Sequence, residues 1–354
     1  MTPNRKTYRI AVLPGDGIGV DVVAEGLRVL RAVEQSLTGV SFDTVELAVG
    51  AGEYLRNGDP LPPSAVEACR EADAILLGAM GLPGVRWPNG TEMTPQIDLR
   101  EIFDLYDGVR PIKLYNAAHS PLKGYEAGGI DFILLRENTE GMFASRKGTY
   151  APDAEAVCDT LRITRHASER LFRAAFRLAV GRKGLVTLVD KANVLPSMAY
   201  FRSIFDEISA EFSQVRTERV YVDAAALYLV KSPQRFDVLV TENLFGDILS
   251  DLAAGLIGGM GVAPSGDIGD RHAIFQPSHG TAPDIAGKGI ANPIATILSV
   301  ALMLDWLPSD ETRRGAALIQ QAVERALADP RHATPDIGGF LTTSQLTDRI
   351  LEVL

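Results

Sequence analysis

The stretch YRIAVLPGDGIGVDVVAEGLRVL, residues 8–30, contains two different hydrophobic patterns separated by a glycine-rich segment. Residues 8–13 form a mostly apolar run of the length and composition of a buried strand. Residues 14–19, PGDGIG, are typical of a tight turn. Beyond the turn, apolar residues recur at helical spacing on one face: Val23, Leu27 and Leu30. This stretch therefore predicts a strand, a turn and an amphipathic helix.

The same alternation continues along the chain. Short apolar runs predict further strands at 74–77, 132–135, 185–189, 220–222 and 238–240. Helical patterns lie between them or follow them at 166–180, 198–212, 247–257, 295–304 and 311–328, and the last hundred residues are predicted to be mainly helical. Strands that alternate with helices predict an α/β protein with much parallel sheet. Composition marks no domain boundary.

Length and charge limit the classes of function. The chain has 354 residues, enough for two domains or one large α/β body, and 46% of them are hydrophobic. Its formal net charge of −10 argues against nucleic acid as a main partner. An anionic small substrate remains compatible with this charge, because a local group of arginines can dominate the field inside a cleft.

Cysteine usage and hydropathy favour a reduced, cytoplasmic protein. The two cysteines, Cys69 and Cys158, cannot build a disulfide framework and form no CxxC motif. The first residues lead into strand-like sequence without the apolar region of a signal peptide. The longest apolar run, residues 252–263, is rich in glycine and too short to span a bilayer. We therefore expect no membrane partner.

Three arginines lie close to the ends of predicted elements. Arg100 is in QIDLR, residues 96–100, Arg110 is in GVRP, residues 108–111, and Arg136 directly follows the strand at 132–135. A guanidinium presents planar, paired donors that match a carboxylate. Each arginine alone is more typical of a surface ion pair, and the three together favour a carboxylate-binding site.

Lys191 stands directly after an apolar strand, in LVDKANV, residues 188–194. In that position the side chain would be partly buried, where desolvation and neighbouring charges tune a lysine for proton transfer. A structural lysine that keeps its ammonium group in solvent is an equally good interpretation of this residue alone.

An acidic pair occurs within a stretch that is otherwise apolar and rich in glycine, residues 243–261. Asp247 and Asp251 are four residues apart, so they fall on one face of a helix. Two neighbouring carboxylates repel each other unless a cation or protons compensate, and oxygen ligands suit Mg²⁺ or Mn²⁺. Asp223, after the strand at 220–222, is a candidate third ligand. A solvated helix face is the alternative interpretation.

A long loop punctuated by glycine and proline, HGTAPDIAGKGIANP, covers residues 279–293 and precedes a helix. Such a loop can wrap around a nucleotide, and an acidic residue in it can bind the ribose hydroxyls. A structural loop is the alternative. The earlier PGDGIG segment lacks the glycine spacing of the Rossmann fingerprint, so it carries little weight as a dinucleotide site.

Taken in order, these motifs resemble those of the isocitrate/isopropylmalate dehydrogenase family. The resemblance rests on PGDGIG, LR followed by VRP, RENTEG, VDKANVL, YVDA, TENLFGDILSD and HGTAPDIAGKGIANP, which together extend from residue 9 to about 304. The last two motifs are long and specific. The remaining residues suit the family's C-terminal helices.

This resemblance implies a two-domain α/β fold that is not a Rossmann fold. The first domain would combine residues 1–105 with 258–354 and carry most of the NAD site. The second, residues 106–257, would carry the metal and substrate residues and a segment that clasps a partner subunit. A homodimer with shared active sites is therefore expected.

The resemblance also assigns roles to individual residues. Arg100, Arg110 and Arg136 would hold substrate carboxylates, with Thr94 and Gln96 in the substrate-selecting segment. Asp247 and Asp251 would bind Mg²⁺ or Mn²⁺, and Lys191 and Asp223 would arrive from the partner subunit, for proton transfer and as a metal ligand. Asn193 would lie near the nicotinamide. The adenine and ribose loop would contain His279, Gly280, Thr281, Ala282, Pro283, Asp284, Ile285 and Asn292. Asp284 favours NAD over NADP.

The implied activity is NAD-dependent oxidation, usually with decarboxylation, of a small 2-hydroxy di- or tricarboxylic acid. Substrates of this class include 3-isopropylmalate, D-malate, tartrate and isocitrate. A catalytically weak or regulatory paralogue of the same fold is the alternative. Such paralogues tend to lose the lysine or the arginines, which this chain retains.

Two positions depart from the family pattern. Where the family usually has a tyrosine that protonates the enol, seven residues after the third arginine, this chain has Phe143. Lys191, water or a displaced group, Ser145 or Tyr150, would have to replace it.

Where isopropylmalate enzymes generally have an apolar residue, four before the first arginine, this chain has the amide of Gln96. Because a buried amide facing an isopropyl group loses hydrogen bonds, malate-like, tartrate-like and tricarboxylic substrates rank at least level with isopropylmalate.

Overall fold

A single sheet forms the centre of the computed structural model, which describes residues 5–149 and 153–354. Its ten strands within these residues are β1 (Lys6–Gly15), β2 (Val40–Glu46), β3 (Ala74–Ala79), β4 (Asp107–Lys113), β5 (Asp131–Glu137), β6 (Leu185–Asp190), β7 (Arg216–Tyr221), β8 (Val238–Thr241), β9 (Pro264–Ile268) and β10 (Ala273–Pro277). Their order across the sheet is β2-β1-β3-β10-β9-β4-β5-β8-β6-β7.

Helices connect the strands and follow them to the end of the chain. They are α1 (Ile18–Gln35), α2 (Ala51–Asn57), α3 (Pro63–Glu71), α4 (Pro95–Ile102), α5 (Arg165–Val180), α6 (Pro196–Ser209), α7 (Val222–Lys231), α8 (Asn243–Gly255), α9 (Ile294–Trp306), α10 (Asp310–Leu327) and α11 (Thr343–Leu351). The predicted α/β class is confirmed, and so are the strand, turn and helix of residues 8–30.

The turn after β1 is a structural junction. Gly17 has a φ of 58°, and a Cβ added there would lie 2.1 Å from the carbonyl oxygen of Thr281, so only glycine fits. The buried Asp16 carboxylate accepts hydrogen bonds from the backbone N–H groups of Ala51 (2.7 Å) and Gly81 (2.8 Å). The PGDGIG segment therefore fixes neighbouring loops, including the one at 279–293.

The sheet is parallel at both ends and antiparallel in the middle. The pairings of β10 with β9, β9 with β4, and β4 with β5 are antiparallel, and the others are parallel. The largest apolar cluster includes Tyr8 and Phe275 from the predicted first domain and Phe132 and Leu229 from the second. The boundary between the two domains stays a prediction.

Several elements differ from the sequence-based expectation. The last hundred residues are mainly helical, as predicted, but they also contain β9 and β10, whose five-residue length gave no clear periodicity. Strand β7 ends at Tyr221, so Asp223 lies in the first turn of α7 and not after a strand ending at 222. Helix α8 begins at Asn243, four residues earlier than predicted, because the Glu242 carboxylate accepts hydrogen bonds from the N–H groups of Leu244 and Phe245.

The two cysteines are free thiols, as predicted. Cys69 is buried against the sheet and Cys158 is exposed. Burial raises the pKa of the Cys69 thiol to about 12, which leaves it unreactive. In the described part of the chain, no helix combines the length and the apolar character needed to cross a membrane.

Candidate active site

A cavity of about 290 Å³ lies where the central strands meet α4 and α8. Its wall contains many of the residues that the sequence assigned to substrate, metal and cofactor: Gln96, Arg100, Arg110, Arg136, Asp247, Asp251, His279 and Gly280. These residues are separated by up to 184 positions in the sequence, and the fold brings them to one place. The volume suits a small polar molecule.

Asp267 on β9 holds two of the arginines in place. One carboxylate oxygen of Asp267 accepts from Nε of Arg100 at 2.8 Å, and the other accepts from Nη2 of Arg110 at 3.0 Å. Nδ2 of Asn138 and Nε2 of Gln276 donate to the same carboxylate at 2.8 and 2.7 Å. The arginines are therefore fixed by a buried carboxylate beside the cavity.

The charge of Asp267 is strongly stabilised. Burial disfavours the ionised carboxylate, but the positive charges of Arg100 and Arg110 outweigh this effect and hold the pKa of Asp267 well below its usual range. The sequence alone does not identify Asp267 as a site residue. The available clue was an acidic residue inside the short segment PSGDI, which goes unnoticed unless β9 is recognised as a buried strand.

Arg136 on β5 is the third buried arginine of the cavity. Its Nε and Nη2 donate to Oδ1 of Asn243 at 3.0 and 2.7 Å, and its Nη1 forms an ion pair with Asp247. Burial, together with the positive charge of Arg100, lowers the pKa of Arg136 to about 10. The guanidinium is thus charged at neutral pH, with Asp247 as its ion-pair partner.

The acidic pair faces the same cavity from α8. Burial, reinforced by the negative charge of Asp247, raises the pKa of Asp251. Two carboxylates that repel each other beside a cavity fit a hard divalent cation with oxygen ligands. Within the described residues, no group of three His, Cys, Asp or Glu side chains is arranged to hold a metal.

Lys191 and Asp223 lie outside the cavity and contact each other. Nζ of Lys191 donates to Oδ1 of Asp223 at 2.8 Å, and this hydrogen bond lowers the pKa of Asp223. The Lys191 side chain is partly buried, as predicted, whereas the Asp223 side chain is 69% exposed. Neither residue of this pair lines the cavity.

The positions that depart from the family pattern also contact the cavity. Phe143 lies in a short 3₁₀ helix, Met142–Ser145, with its ring centre 5.0 Å from Cζ of Arg136. Gln96 lines the wall, and its buried Oε1 finds no hydrogen-bond partner among the described residues. Thr94 precedes α4 and is not part of the wall. Tyr150 lies outside the described residues.

The predicted cofactor loop packs against α1. The N–H of Ile18 donates to the carbonyl of Thr281 at 2.8 Å, and the N–H of Gly287 donates to the Asp21 carboxylate at 2.9 Å. Ala282 and Ile285 pack against the apolar side chain of Ile18. The loop is thereby held at the carboxyl end of β1, next to the cavity.

The side chains of this loop differ in burial and in their hydrogen-bond partners. His279 lines the cavity, burial lowers its pKa, and its Nε2 is buried without a hydrogen-bond partner among the described residues. Pro283 and Asp284 are exposed, and Asn292 is buried with Nδ2 donating to Asp336 at 3.1 Å. Asn193 is exposed and does not line the cavity. A buried ring nitrogen without a partner in a residue that lines the cavity fits a site for a polar ligand.

Comparison with known proteins identifies the relatives of this chain. A family model described as isocitrate/isopropylmalate dehydrogenase matches residues 9–350. The 3-isopropylmalate dehydrogenase of Aquifex aeolicus is 42% identical over 99% of this chain and 98% of its own length. The isocitrate/homoisocitrate dehydrogenase of Thermus thermophilus is 43% identical over 98% of each chain.

The solved structures agree with the sequence comparison. The isocitrate dehydrogenase from Methylococcus capsulatus has a TM-score of 0.85 and 36% identity, and the match covers 98% of both chains. Fold and sequence therefore relate this chain to proteins named for different hydroxyacids.

Proposed function

The chain belongs to the isocitrate/isopropylmalate dehydrogenase family, and from this premise we propose that it oxidises a 2-hydroxy acid with at least two carboxylates, using NAD and Mg²⁺ or Mn²⁺. As a member of this family it is an oxidoreductase that acts on a hydroxyacid. Decarboxylation accompanies the oxidation in the reaction that we propose.

One observation carries the proposal: three arginines and two aspartates line the same cavity. Arg100, Arg110 and Arg136 are each at most 7% exposed, and a buried guanidinium requires an anionic partner. Asp267 uses only part of the hydrogen-bonding capacity of the first two. A substrate with several carboxylates supplies the remaining acceptors.

Asp247 and Asp251 would hold the divalent cation close to the arginines. A cation bound there would lower the pKa of a coordinated hydroxyl, and a nicotinamide would accept the hydride. The arginines would orient the substrate so that its C2 hydrogen faces the loop at 279–293. That loop offers the unpartnered Nε2 of His279 and the exposed Asp284.

We propose that a second copy of the chain completes the site. Lys191 and Asp223 are hydrogen-bonded to each other outside their own cavity, so they would enter a neighbour's cavity as a unit. Exposed apolar side chains on α7 and α8 support this pairing: Leu227 at 54%, Val230 at 45% and Ile248 at 60%. Lys191 would take the hydroxyl proton.

Phe143 affects the step after oxidation. The new 2-oxo acid loses its 3-carboxylate, and the enol that remains must be protonated at carbon. A phenyl ring has no proton to give, although it packs against Arg136. We propose that Lys191, directly or through water, supplies this proton.

The choice of substrate is proposed from Gln96. Gln96 lines the cavity, its buried Oε1 has no partner among the described residues, and an isopropyl group would offer that oxygen no donor. A hydroxyl at C3 would donate to the amide oxygen, and a carboxylate-bearing substituent would accept from the amide nitrogen. D-malate, which has no further substituent at C3, would at least avoid placing an isopropyl group against the amide. We therefore propose that tartrate, D-malate and tricarboxylic acids are at least as good substrates as isopropylmalate.

A substrate panel tests the proposal. D-malate, tartrate, isopropylmalate, isocitrate and homoisocitrate are each incubated with the enzyme, NAD and Mn²⁺, and NADH is followed. We expect turnover of at least one acid, with kcat/KM for a polar C3 substituent no lower than for isopropylmalate, and loss of activity in excess chelator. No turnover of any acid would favour a regulatory paralogue, and full activity in chelator would refute the metal.

A further inference from the structure

A second cavity of about 740 Å³ opens on the opposite face of the sheet from the active-site cavity. We call it the rear cavity. It lies between α5 on one side and α9 and α10 on the other, across the central strands. The residues that define it here are Asp107, Val109, Arg177, Phe275, Leu302 and Trp306. None of the expected active-site residues lines it.

The two cavities share the same strands. Successive side chains of a strand point to opposite faces of the sheet. On β4, Arg110 faces the active-site cavity and Val109 faces the rear cavity. On β10, Gln276 faces the active-site cavity and Phe275 faces the rear cavity. The rear cavity is therefore a separate site, on the opposite face of the sheet from the active-site cavity.

Asp107 gives the rear cavity an unsatisfied polar group. This carboxyl is only 6% exposed, and its Oδ1 has no hydrogen-bond partner among the described residues. Burial raises the pKa of Asp107 to about 7, although the positive charges of Arg177 and Arg110 act to lower it. A buried, orphaned carboxyl in the wall of a cavity points to a ligand that pairs with it.

Arg177 adds a positive charge near Asp107. Other arginines on or just after α5 are paired: Arg170 with Asp104, Arg173 with Glu211 and Arg182 with Asp237. Arg177, in contrast, forms no ion pair or side-chain hydrogen bond with any residue that the structure describes. A guanidinium without a partner at a cavity is suited to a carboxylate.

The wall of the rear cavity also has an apolar part. Trp306 and Phe275 form an aromatic pair with ring centres 6.0 Å apart, and Leu302 lies on the same helix as Trp306. We propose that the rear cavity binds a small amphipathic carboxylate, with its carboxylate on Arg177 and Asp107 and its apolar body on Trp306, Phe275 and Leu302. This inference does not depend on the proposed activity.

Two classes of ligand combine a carboxylate with an apolar chain in this way: simple aliphatic acids and α-amino acids. A protonated Asp107 would donate to the carboxylate of an aliphatic acid. An ionised Asp107 would accept from the ammonium of an amino acid, while Arg177 holds its carboxylate. Hexanoate and norleucine represent the two sources with the same carbon chain.

Tryptophan fluorescence gives a local reading of this cavity. The chain has two tryptophans, so Trp87→Phe leaves Trp306 as the single emitter. The full-length Trp87→Phe protein is titrated with hexanoate and with norleucine. We expect a saturable change in emission for at least one of them, with Kd on the order of 1 mM for a ligand of this size. The ligand that binds more tightly identifies the source.

Matched controls separate this site from nonspecific binding. Adding Arg177→Gln should weaken binding at least tenfold, and adding Arg173→Gln on the same helix should leave it unchanged. Arg177 is exposed, so the change should leave the melting temperature unaltered. 1-Hexanol, which has the same carbon chain without a charged group, should not bind. Absence of a saturable change with both acids, equal binding by Arg177→Gln, or equal binding of 1-hexanol would overturn the proposal.

Discussion

Asp267 is the residue on which two of the three cavity arginines depend. Its ionised carboxylate is 1% exposed and contacts both Arg100 and Arg110. Because its folded-state pKa is depressed, this stabilisation is fully present above the unfolded value near 4 and is lost only as the pH falls through the lower folded value. The arrangement is therefore insensitive to pH across the neutral range.

Asp267→Asn should destabilise the protein and weaken substrate binding. Removing the charge leaves two buried guanidinium groups without their counterion, which should lower the free energy of unfolding by about 3 kcal/mol. Denaturant unfolding measures this effect, and KM should rise at least tenfold as the arginines lose their orientation. Asp270→Asn, at an exposed position two residues after β9, is the control and should leave both unchanged. Normal stability and KM in Asp267→Asn would contradict this role.

Phe143→Tyr should accelerate the late step of the reaction more than the hydride transfer. The new hydroxyl would stand beside Arg136, where the ring already packs, and would restore the proton donor. CO₂ release and ketone formation, measured beside NADH formation, give the comparison. Unchanged rates with an unchanged ratio would mean that another group already supplies the proton.

Individual site residues were predictable where their chemistry is visible in the sequence. Arg100, Arg110, Arg136, Asp247 and Asp251 were named in advance, and they line one cavity. Asp267 was not, because its function depends on which strand it occupies and on the arginines that surround it. A single aspartate in a short segment carries no pattern of its own.

Elements were predictable when they were long or strongly periodic. The strand and helix of residues 8–30 follow from their pattern, whereas β9 and β10 are five residues each and read as part of a helical region. The early start of α8 depends on a glutamate cap at Glu242, which is less common than a serine, threonine or aspartate cap. Short elements and unusual caps are decided by tertiary packing.

The loop at 279–293 should decide between NAD and NADP. Asp284 is exposed in this loop, where its carboxylate would accept hydrogen bonds from ribose hydroxyls and repel a 2′-phosphate. We expect NAD to be favoured at least tenfold in kcat/KM, or about 1.4 kcal/mol or more. Steady-state kinetics with both cofactors at saturating substrate measure this preference.

Reversing the charge provides the matched test of the loop. Asp284→Lys with Ile285→Tyr should narrow the gap between the two cofactors. Asp310→Lys, which makes the same change of charge at the exposed start of α10, should leave the preference unaltered. Equal use of NADP by the unmodified enzyme would show that Asp284 does not bind the ribose.

A dimer with shared sites makes a quantitative prediction for the whole molecule. Lys191→Met and Asp247→Asn should each abolish most activity. If one site combines Asp247 of one subunit with Lys191 of the other, a hybrid dimer of the two variants contains one intact site. Random co-assembly should therefore restore about a quarter of the normal activity, and coexpression with two affinity tags measures it.

A second pair of variants controls the hybrid experiment. Lys191→Met and Asp223→Asn alter residues that enter a site from the same subunit, so their hybrids contain no intact site and should stay inactive. Absence of recovery in the first pair, with hybrids shown to form, would place Lys191 and Asp247 of one chain in the same site.

At the scale of the whole molecule, the sequence indicated which residues share the active-site cavity, but it did not indicate the rear cavity. The rear cavity arises from the alternation of side chains on β4 and β10 and from the spacing of α5 and α9. No motif in the sequence marks it. Cavities depend on how layers pack, so they become visible only once the sheet order is known.

The ion pair between Arg136 and Asp247 has a thermodynamic consequence, because one partner belongs to the substrate set and the other to the metal set. A cation that takes Asp247 releases Arg136, and a substrate carboxylate that takes Arg136 releases Asp247. Each ligand thus removes a competitor of the other, and the linkage between them must be reciprocal. The Kd for Mn²⁺, measured calorimetrically without NAD, should fall about tenfold when the preferred acid is saturating. If Mn²⁺ and the acid bind independently, the ion pair between Arg136 and Asp247 does not have to open. If each tightens the binding of the other, metal and substrate bind cooperatively.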